Sequence, residues 1–580
     1  MAGSSNGRVV PAAYPPPVDS PREFIKRGLD PEDELIEVGV AIVGGGTAGL
    51  AAANRLLQLL ADDPELMESL GEVPVAVLEK AKTCGGHTLS GAVVRPQPLQ
   101  ELFPDLTRED WRKEGFAFGE VDKEAVYMLP SGKAKLRIPT PPPFKNHGNE
   151  VISVSALARY QQRMAEEGGA YILTETAATQ LIVEDGRVVG VRSGDKGRGK
   201  DGEPLGNFEP GTDIKARYVI LAEGCWGSLT GAAIREFELD RDREPQVWEL
   251  GVKEVWKVPR PLDRLIHTIG PWPLKISARY GQIGGTWIYP MKDERTGDDL
   301  VSIGFVVDLE YADATTSAHD LLQQFKLHPL VRGILEGGER VAWGAKALPG
   351  GGYWSMPKLT MPGALLVGDS AGMVDTAALK GVHHCINSGK LAGEAIFDAL
   401  KAGGEGSLEA YEEKIENSVT GRELYQVRNT RQPFQKGFLM GGPIVNLAIA
   451  TKGKLPPGRL PWHKNDEKGM FIGKTAEGYP RPDNRYTFDK LSSVFITGNA
   501  TRDDAPNHIR VRRNVPREVA ETWKWMCPAG VYEIPEDAPE RGNVDVIVNY
   551  TNCVQCGAIT AKGGRLTTPE GGDGPLYTIT

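Results

Sequence analysis

Three of the chain's six cysteines lie near its C-terminal end: Cys527, followed by a proline, then Cys553 and Cys556 in a C-x-x-C spacing. Thiolates gathered in this way suggest an iron–sulfur cluster. A four-cysteine zinc site would need a further ligand nearby, and none is present. The spacing sets a fourth cluster thiolate three residues beyond Cys556, where the chain has Ile559. An apolar side chain cannot ligate iron, so the motif is three-quarters present. Six cysteines in 580 residues do not make a secreted disulfide scaffold, which leaves metal or redox work as the expectation for the group.

A second constellation is built on glycine. Ile36 to Val43 is a β-prone run that leads into Gly44-Gly45-Gly46-Thr47-Ala48-Gly49. Leu50 to Leu60 follows, apolar at helical spacing, and then a strand from Val73 to Leu78 ending on Glu79. Strand, glycine turn, helix, strand and acid form the dinucleotide fingerprint in its proper context. Gly44 allows the tight turn, Gly46 lets backbone N–H groups approach a pyrophosphate, and Gly49 lets the helix pack on the sheet. The helix N-terminus then faces the phosphates, and Glu79 holds the ribose hydroxyls. Glu79 stands thirty residues past Gly49, more than the usual ~20, and the polar insert Ala61 to Gly71 is expected to absorb the excess as a surface loop.

Two later strands name the dinucleotide. Ala216 to Leu221 runs into Ala222-Glu223-Gly224-Cys225, and Ala364 to Val367 runs into Gly368-Asp369-Ser370-Ala371-Gly372. A plain turn would explain a Gly-Asp pair taken alone. Joined to the first fingerprint, it points to FAD held along its whole length, with Asp369 accepting from the ribityl hydroxyls. His383, His384 and Cys385 follow Lys380-Gly381. They can be read as a metal cluster, but a helix start against the flavin is the preferred reading. Cys84 and Cys225 read as buried small residues near strand ends.

The elements around these motifs suit two to four domains. From Leu250 to about Ala345 the chain reads as antiparallel strands, among them Ala278 to Pro290 and Leu300 to Leu309, that cover one flavin face. Ser193 to Asp213 looks like a solvated hairpin excursion, and no internal repeat is found. Lys+Arg 67 against Asp+Glu 77, a net charge of -10, gives no basic excess for binding nucleic acid. Before Leu29 the chain reads as a tail, with neither a secretory h-region nor an Arg-rich import helix. No run reaches the ~20 apolar residues that span a bilayer. Gly437 to Thr451 is uncharged, with Arg428, Arg431 and Lys436 before it and Lys452, Lys454 and Arg459 after it. Such a segment suits either a protein lying on an anionic membrane face or an ordinary buried helix.

Together with these features, further stretches carry a resemblance: Glu79-Lys80 with His87-Thr88-Leu89-Ser90-Gly91, Asn146 to Asn149, Glu244-Pro245-Gln246, Pro357-Lys358-Leu359, Thr487 to Ser493 and Cys527 to Glu533. In them the chain resembles the electron-transferring flavoprotein–ubiquinone oxidoreductases from about Ile36 to Pro575. The resemblance implies an α/β chain, α+β overall, in which a Rossmann-like two-half FAD domain is interwoven with an antiparallel-sheet quinone domain and followed by a ferredoxin-like domain. The expected bounds are a flexible tail over 1–30, FAD segments over 31–115, 146–240 and 345–430, and quinone segments over 116–145 and 241–344. A membrane-surface segment over 431–465 and the iron–sulfur domain over 466–580 complete it. FAD would be held by the glycine-turn residues, Glu79, Lys80, His87, Gly368, Asp369 and Gly372. Gly284-Gly285 matches the glycine pair whose backbone meets the quinone headgroup, and Cys527, Cys553 and Cys556 would hold a 4Fe–4S or a three-iron cluster.

The implied activity is an oxidoreductase that takes electrons from reduced electron-transferring flavoprotein and passes them to ubiquinone or menaquinone, with no general acid or base assigned. The implied place is the cytoplasmic face of a bacterial inner membrane, with the matrix side of the mitochondrial inner membrane as the alternative. Two other readings are an FAD-dependent prenyl reductase or hydroxylase of the related fold, and a non-catalytic flavin-bearing docking protein, supported only by Ile559.

Overall fold

The computed structural model describes residues 8–17, 23–30, 34–404, 406–436 and 438–580. Gly437, the first residue of the apolar segment, and parts of the expected tail lie outside them. The first β-prone run forms the strand Leu35–Val43, buried from Val38 onward, and the next apolar run forms the helix Thr47–Ala61. The helix returns the chain to Val75–Leu78, which pairs in parallel with Leu35–Val43. Asp213–Leu221 lies on the other side of Leu35–Val43, also parallel, and Ala364–Leu366 joins its far end. These strands form the centre of a nine-stranded sheet. Their near-continuous Val, Ile, Leu and Ala reflect burial on both faces, as parallel strands require.

A second, seven-stranded sheet runs Glu339–Pro349, Trp248–Lys257, Asp298–Asp308, Gly284–Asp293, Leu265–Ile269, Glu124–Met128 and Leu136–Ile138. Its pairings are antiparallel except between Leu265–Ile269 and Glu124–Met128. Leu300 to Leu309 is a strand nearly as expected, but the stretch from Ala278 is not: its strand begins only at Gly284, after a turn at Ser277 to Gly281. Glu339–Pro349 stays paired along its length, so this sheet runs past the boundary expected at residue 344. The C-terminal domain has short two-stranded pairs around the helix Arg517–Met526. It does not stand apart, because Val515, Trp523, Cys527 and Ile559 share one apolar core with Trp256, Phe305 and Trp343 of the sheet.

Three further expectations meet a different local structure or hold. The insert after the first helix is not a bare loop, since Pro64–Ser69 forms a short helix whose N-cap Asp63 accepts from the Leu66 N–H. The hairpin excursion is present as Lys196–Arg198 paired with Pro204–Glu209. The described parts of the expected tail are built in: Ile25–Arg27 adds a parallel strand beside Ala178–Glu184, and Val9 exchanges backbone hydrogen bonds with Met470.

The helix Thr47–Ala61 and the helix Val382–Lys401 bring the two halves of the flavin fingerprint together, and small residues let them touch. A Cβ at Gly389 would stand 2.1 Å from the Ala48 carbonyl oxygen, and one at Gly393 2.8 Å from that of Ala52. Overpacking of this kind costs about 1–3 kcal/mol or more. Gly389→Val should therefore lower the unfolding free energy by that amount and shift the denaturant midpoint down accordingly. Gly206→Ala, where nothing lies within 4 Å of the added carbon, should change stability by less than about 0.5 kcal/mol. An unchanged midpoint in Gly389→Val would show that the two helices do not depend on this contact.

Candidate functional site

The glycine turn opens onto a cleft of about 1300 Å³, measured to its open mouth. Gly44, Gly46, Thr47 and Ala48 line it from the start of the first helix, and Glu79, Lys80 and His87 from the end of the neighbouring strand. Gly44 turns at φ +110°, a backbone that only glycine adopts freely, and a Cβ there would meet the Ala222 carbonyl oxygen at 2.3 Å. Nothing lies within 4 Å of a Cβ on Gly46, so its backbone faces open space. Gly45 and Gly49 do not line the cleft; they pack behind it. A Cβ on Gly45 would stand 2.4 Å from the Cys84 sulfur, and one on Gly49 2.2 Å from the Gly44 carbonyl oxygen. Cys84 itself is fully buried, as expected.

Glu79 is nearly buried and accepts the Gly45 and Ala81 N–H groups, each at 2.8 Å, so the acid also locks the turn it faces. Asp369 lines the opposite end, its carboxyl pushed above the usual carboxylate range by burial. It accepts from the Cys385 thiol at 3.5 Å, at the first turn of the helix Val382–Lys401. Gly368 and Gly372 flank Asp369 without lining the cleft. Burial, with Lys346 close by, pulls the Lys80 ammonium down to about 8. Burial also holds His87 well below its ordinary value, so the imidazole is neutral and its Nδ1 has no partner. A helix N-terminus, two lysines and carboxylates at both ends suit a long anionic dinucleotide with hydroxyls along its length.

The remaining wall comes from the Ala222 to Cys225 stretch expected here and from elements that sequence reasoning did not bring here. Lys346 of the second sheet lines the cleft, as do Cys225, Trp226, His508, Gln555, Gly557 and Leu566 to Thr568. Gln555 and Gly557 flank Cys556, so the cysteine loop borders the cleft. Their nearness to Cys556 was visible in the sequence; that the two motifs abut was not. The Ala347 N–H donates to the Cys556 carbonyl at 2.8 Å, and Lys346 Nζ to the Gln555 carbonyl at 3.3 Å. Trp226 stacks on Trp248 with ring centroids 3.9 Å apart, and a Cβ on Gly557 would meet it at 2.9 Å.

Cys527 caps the helix Arg517–Met526, and its sulfur accepts the Ala529 and Val531 N–H groups at 3.4 and 3.5 Å. The Cys553 sulfur accepts the Gln555 N–H at 3.4 Å. Burial raises all three thiols, Cys556 to about 12, so each needs a metal's charge to ionise. The three sulfurs are near enough to sense one another's charge, yet they are not all gathered within 4.8 Å. Zinc–thiolate bonds of about 2.3 Å would draw them closer than that. The donor set therefore fits a multi-iron cluster better than a single ion. Ile559 is buried among apolar side chains beside it and offers no ligand.

Gly284 and Gly285 lie in the second sheet, away from the cleft, opposite Val307 and Val306. A Cβ on Gly284 would strike the Val306 carbonyl oxygen at 2.1 Å, so strand packing alone requires that glycine. Gly285 has only the Thr268 carbonyl within 4 Å. In the helix Phe438–Ala450 the exposed Met440, Pro443, Leu447 and Ala450 recur at helical spacing on one face. Of the bases expected to flank it, Arg431 is instead mostly covered and paired with Glu249 and Asp308, and Arg428 is buried. Lys452, Lys454 and Arg459 are exposed. Among the described residues, no helix is long and apolar enough to cross a membrane.

Residues 248–348 match the family model described as ETF-QO, ubiquinone-binding, and residues 484–578 the model described as electron transfer flavoprotein-ubiquinone oxidoreductase, 4Fe-4S. A probable electron transfer flavoprotein-ubiquinone oxidoreductase of Acinetobacter baylyi is 35% identical over 94% of this chain and 99% of its own. The mitochondrial electron transfer flavoprotein-ubiquinone oxidoreductase of Caenorhabditis elegans is 35% identical over 93% of this chain and 91% of its own. In fold, the chain is similar to a geranylgeranyl bacteriochlorophyll reductase-like protein of Thermoplasma acidophilum. That likeness has a TM-score of 0.51 at 18% identity and covers 77% of this chain and 96% of that one. Full-length identity to these oxidoreductases, with both family models in register on the quinone-side sheet and the cysteine domain, makes this chain an oxidoreductase of the electron transfer flavoprotein–ubiquinone oxidoreductase family.

Proposed function

We propose that this chain takes electrons from reduced electron transfer flavoprotein and delivers them to ubiquinone or another respiratory quinone at a membrane surface. In this reading FAD occupies the cleft and an iron–sulfur cluster sits on Cys527, Cys553 and Cys556. The observation that carries it is the shared wall: Gln555 and Gly557, either side of Cys556, line the same cleft as the glycine turn. Two redox groups held that close exchange electrons without moving domains. When bound, the flavin supplies exchange between one- and two-electron chemistry, and the cluster supplies one-electron chemistry.

The chain's own residues bind, orient and shield. Gly46, Thr47 and Ala48 present the helix N-terminus to the pyrophosphate, Glu79 takes the ribose hydroxyls, and Asp369 takes the ribityl hydroxyls. Lys80 and Lys346 offset the cofactor's negative charge. N–H groups directed at the Cys527 and Cys553 sulfurs stabilise thiolate, which tunes a cluster's potential. Trp226, stacked on Trp248, covers the cleft wall beside Gly557. The quinone headgroup approaches the backbone at Gly284-Gly285, where Gly285 has no contact closer than the Thr268 carbonyl at 3.7 Å from an added Cβ. The exposed face of Phe438–Ala450 lies in the headgroup region, with Lys452, Lys454 and Arg459 toward anionic lipid.

Two outcomes are expected. In Cys553→Ser, bound iron should fall to less than about a tenth of the wild-type content, with loss of the paramagnetic resonance signal and retention of flavin absorbance. Unchanged iron would remove the cysteine assignment. A signal only after dithionite would mark a four-iron cluster, and one only in the oxidised sample a three-iron cluster. In Leu447→Glu, affinity for vesicles containing phosphatidylglycerol should fall at least about tenfold with unfolding unchanged, because the charge must enter the interface. Equal binding would mean that this face does not meet lipid.

A further inference from the structure

His383 and His384 open the helix Val382–Lys401, and Glu423 stands on the neighbouring helix Val419–Gln426. One ligand atom from each of the three lies within 4.8 Å of the others. His383 Nε2 is 3.0 Å from Glu423 Oε2, and His384 Nε2 is 3.7 Å from the same oxygen. Ligands at about 2.0–2.1 Å around a tetrahedral ion stand about 3.4 Å apart, midway between these separations.

His384 is fully buried, and its Nε2 has no hydrogen-bond partner. A buried polar atom left unpaired costs about 1–3 kcal/mol. The other ring nitrogen meets the Thr420 hydroxyl at 3.1 Å, and Asn387 Nδ2 donates to that hydroxyl at 2.9 Å. Thr420 thus anchors one ring nitrogen while the other is directed at Glu423, the second-shell pattern of metal-ligating histidines. Arg95 engages the other carboxylate oxygen, Oε1, and so orients Glu423 while leaving Oε2 to the site.

We propose that His383 Nε2, His384 Nε2 and Glu423 Oε2 bind one divalent transition-metal ion of the zinc class. Two imidazoles and a carboxylate suit zinc in ligand type, and Glu423, partly exposed, leaves a side from which water reaches the ion. The ion is a staple rather than a redox centre. It ties the helix that starts beside Asp369 to the helix whose chain runs on through Arg428 and Arg431 into Phe438–Ala450. None of the three ligands lines the glycine-turn cleft or belongs to the cluster cysteines.

The test uses holoprotein freed of adventitious metal on a chelating resin and then titrated with zinc. One equivalent per chain is expected, read by elemental analysis. Its X-ray absorption spectrum should show nitrogen and oxygen neighbours at about 2.0–2.1 Å and no sulfur at about 2.3 Å. His384→Asn keeps an amide where Nδ1 was and removes the Nε2 ligand, and Glu423→Gln keeps the His383 hydrogen bond without the charge. Each should weaken zinc binding at least about tenfold. Wild-type protein that takes up no stoichiometric zinc, or takes it up on sulfur, would overturn the proposal, as would unchanged affinity in both variants. The wild-type spectrum decides the matter even if a variant fails to fold.

Discussion

The strand Glu339–Pro349 is the member on which the arrangement depends. One of its edges pairs with Trp248–Lys257, and its Ala347 N–H holds the Cys556 carbonyl. Lys346 beside it reaches both the cleft and the Gln555 carbonyl. A single strand thus sets the distance between the glycine-turn cleft and the cysteine loop. Electron exchange falls steeply with distance, so the constraint is geometric before it is chemical. It also explains why the cysteine domain shares its apolar core with the second sheet rather than hanging from a linker.

Buried charge reinforces the same sheet from both sides. Glu254 accepts from Lys326 and from the Trp256 indole, all three fully buried, with Arg340 at 3.6 Å. The carboxylate is satisfied on every side, so burial does not protonate it and the neighbouring cations hold it below its ordinary range. At the other end, Arg431 sits between Glu249 and Asp308 on adjacent strands. Removing one partner from such a pair leaves an unpaired buried charge, which costs about 3–5 kcal/mol. Arg431 is spent on this role just before the apolar helix. Among the described side chains, Lys452 and Lys454 are exposed lysines that follow that helix.

The local elements were legible because their patterns are local. A glycine turn between an apolar strand and a helix has one good solution, and the structure has Gly44 at positive φ, Gly46 facing open space and Gly49 under the Gly44 carbonyl, each as its spacing implies. What did not follow was anything set by sequence-distant packing. The resemblance implies a quinone contact at Gly284, and in space a neighbouring strand requires that glycine as well. Lys346, His508 and Leu566 to Thr568 carry no motif and enter the cleft only through the fold. Arg431 reads as a membrane-side base because hydropathy does not reveal the two carboxylates that pair with it. His383 and His384 read as a helix start, which they are. Glu423, which completes a donor set with them, stands about forty residues on, with no spacing rule to link it.

Ile559 shows how the cysteine domain holds the turn after its C-x-x-C pair without a ligand there. The side chain is buried on the short helix Ala558–Lys562 and packs under Gly564, where an added Cβ would stand 2.5 Å from it. Apolar contact holds the turn that a metal bond would otherwise hold, so the backbone around Cys553 and Cys556 does not depend on a fourth thiolate. The N–H groups on the Cys527 and Cys553 sulfurs are made by the turns themselves and remain without it. A cluster on three thiolates carries one negative charge fewer from the protein than one on four. Less negative charge around iron favours the reduced state, so a cluster held on these three thiolates would sit at a higher potential than one held on four.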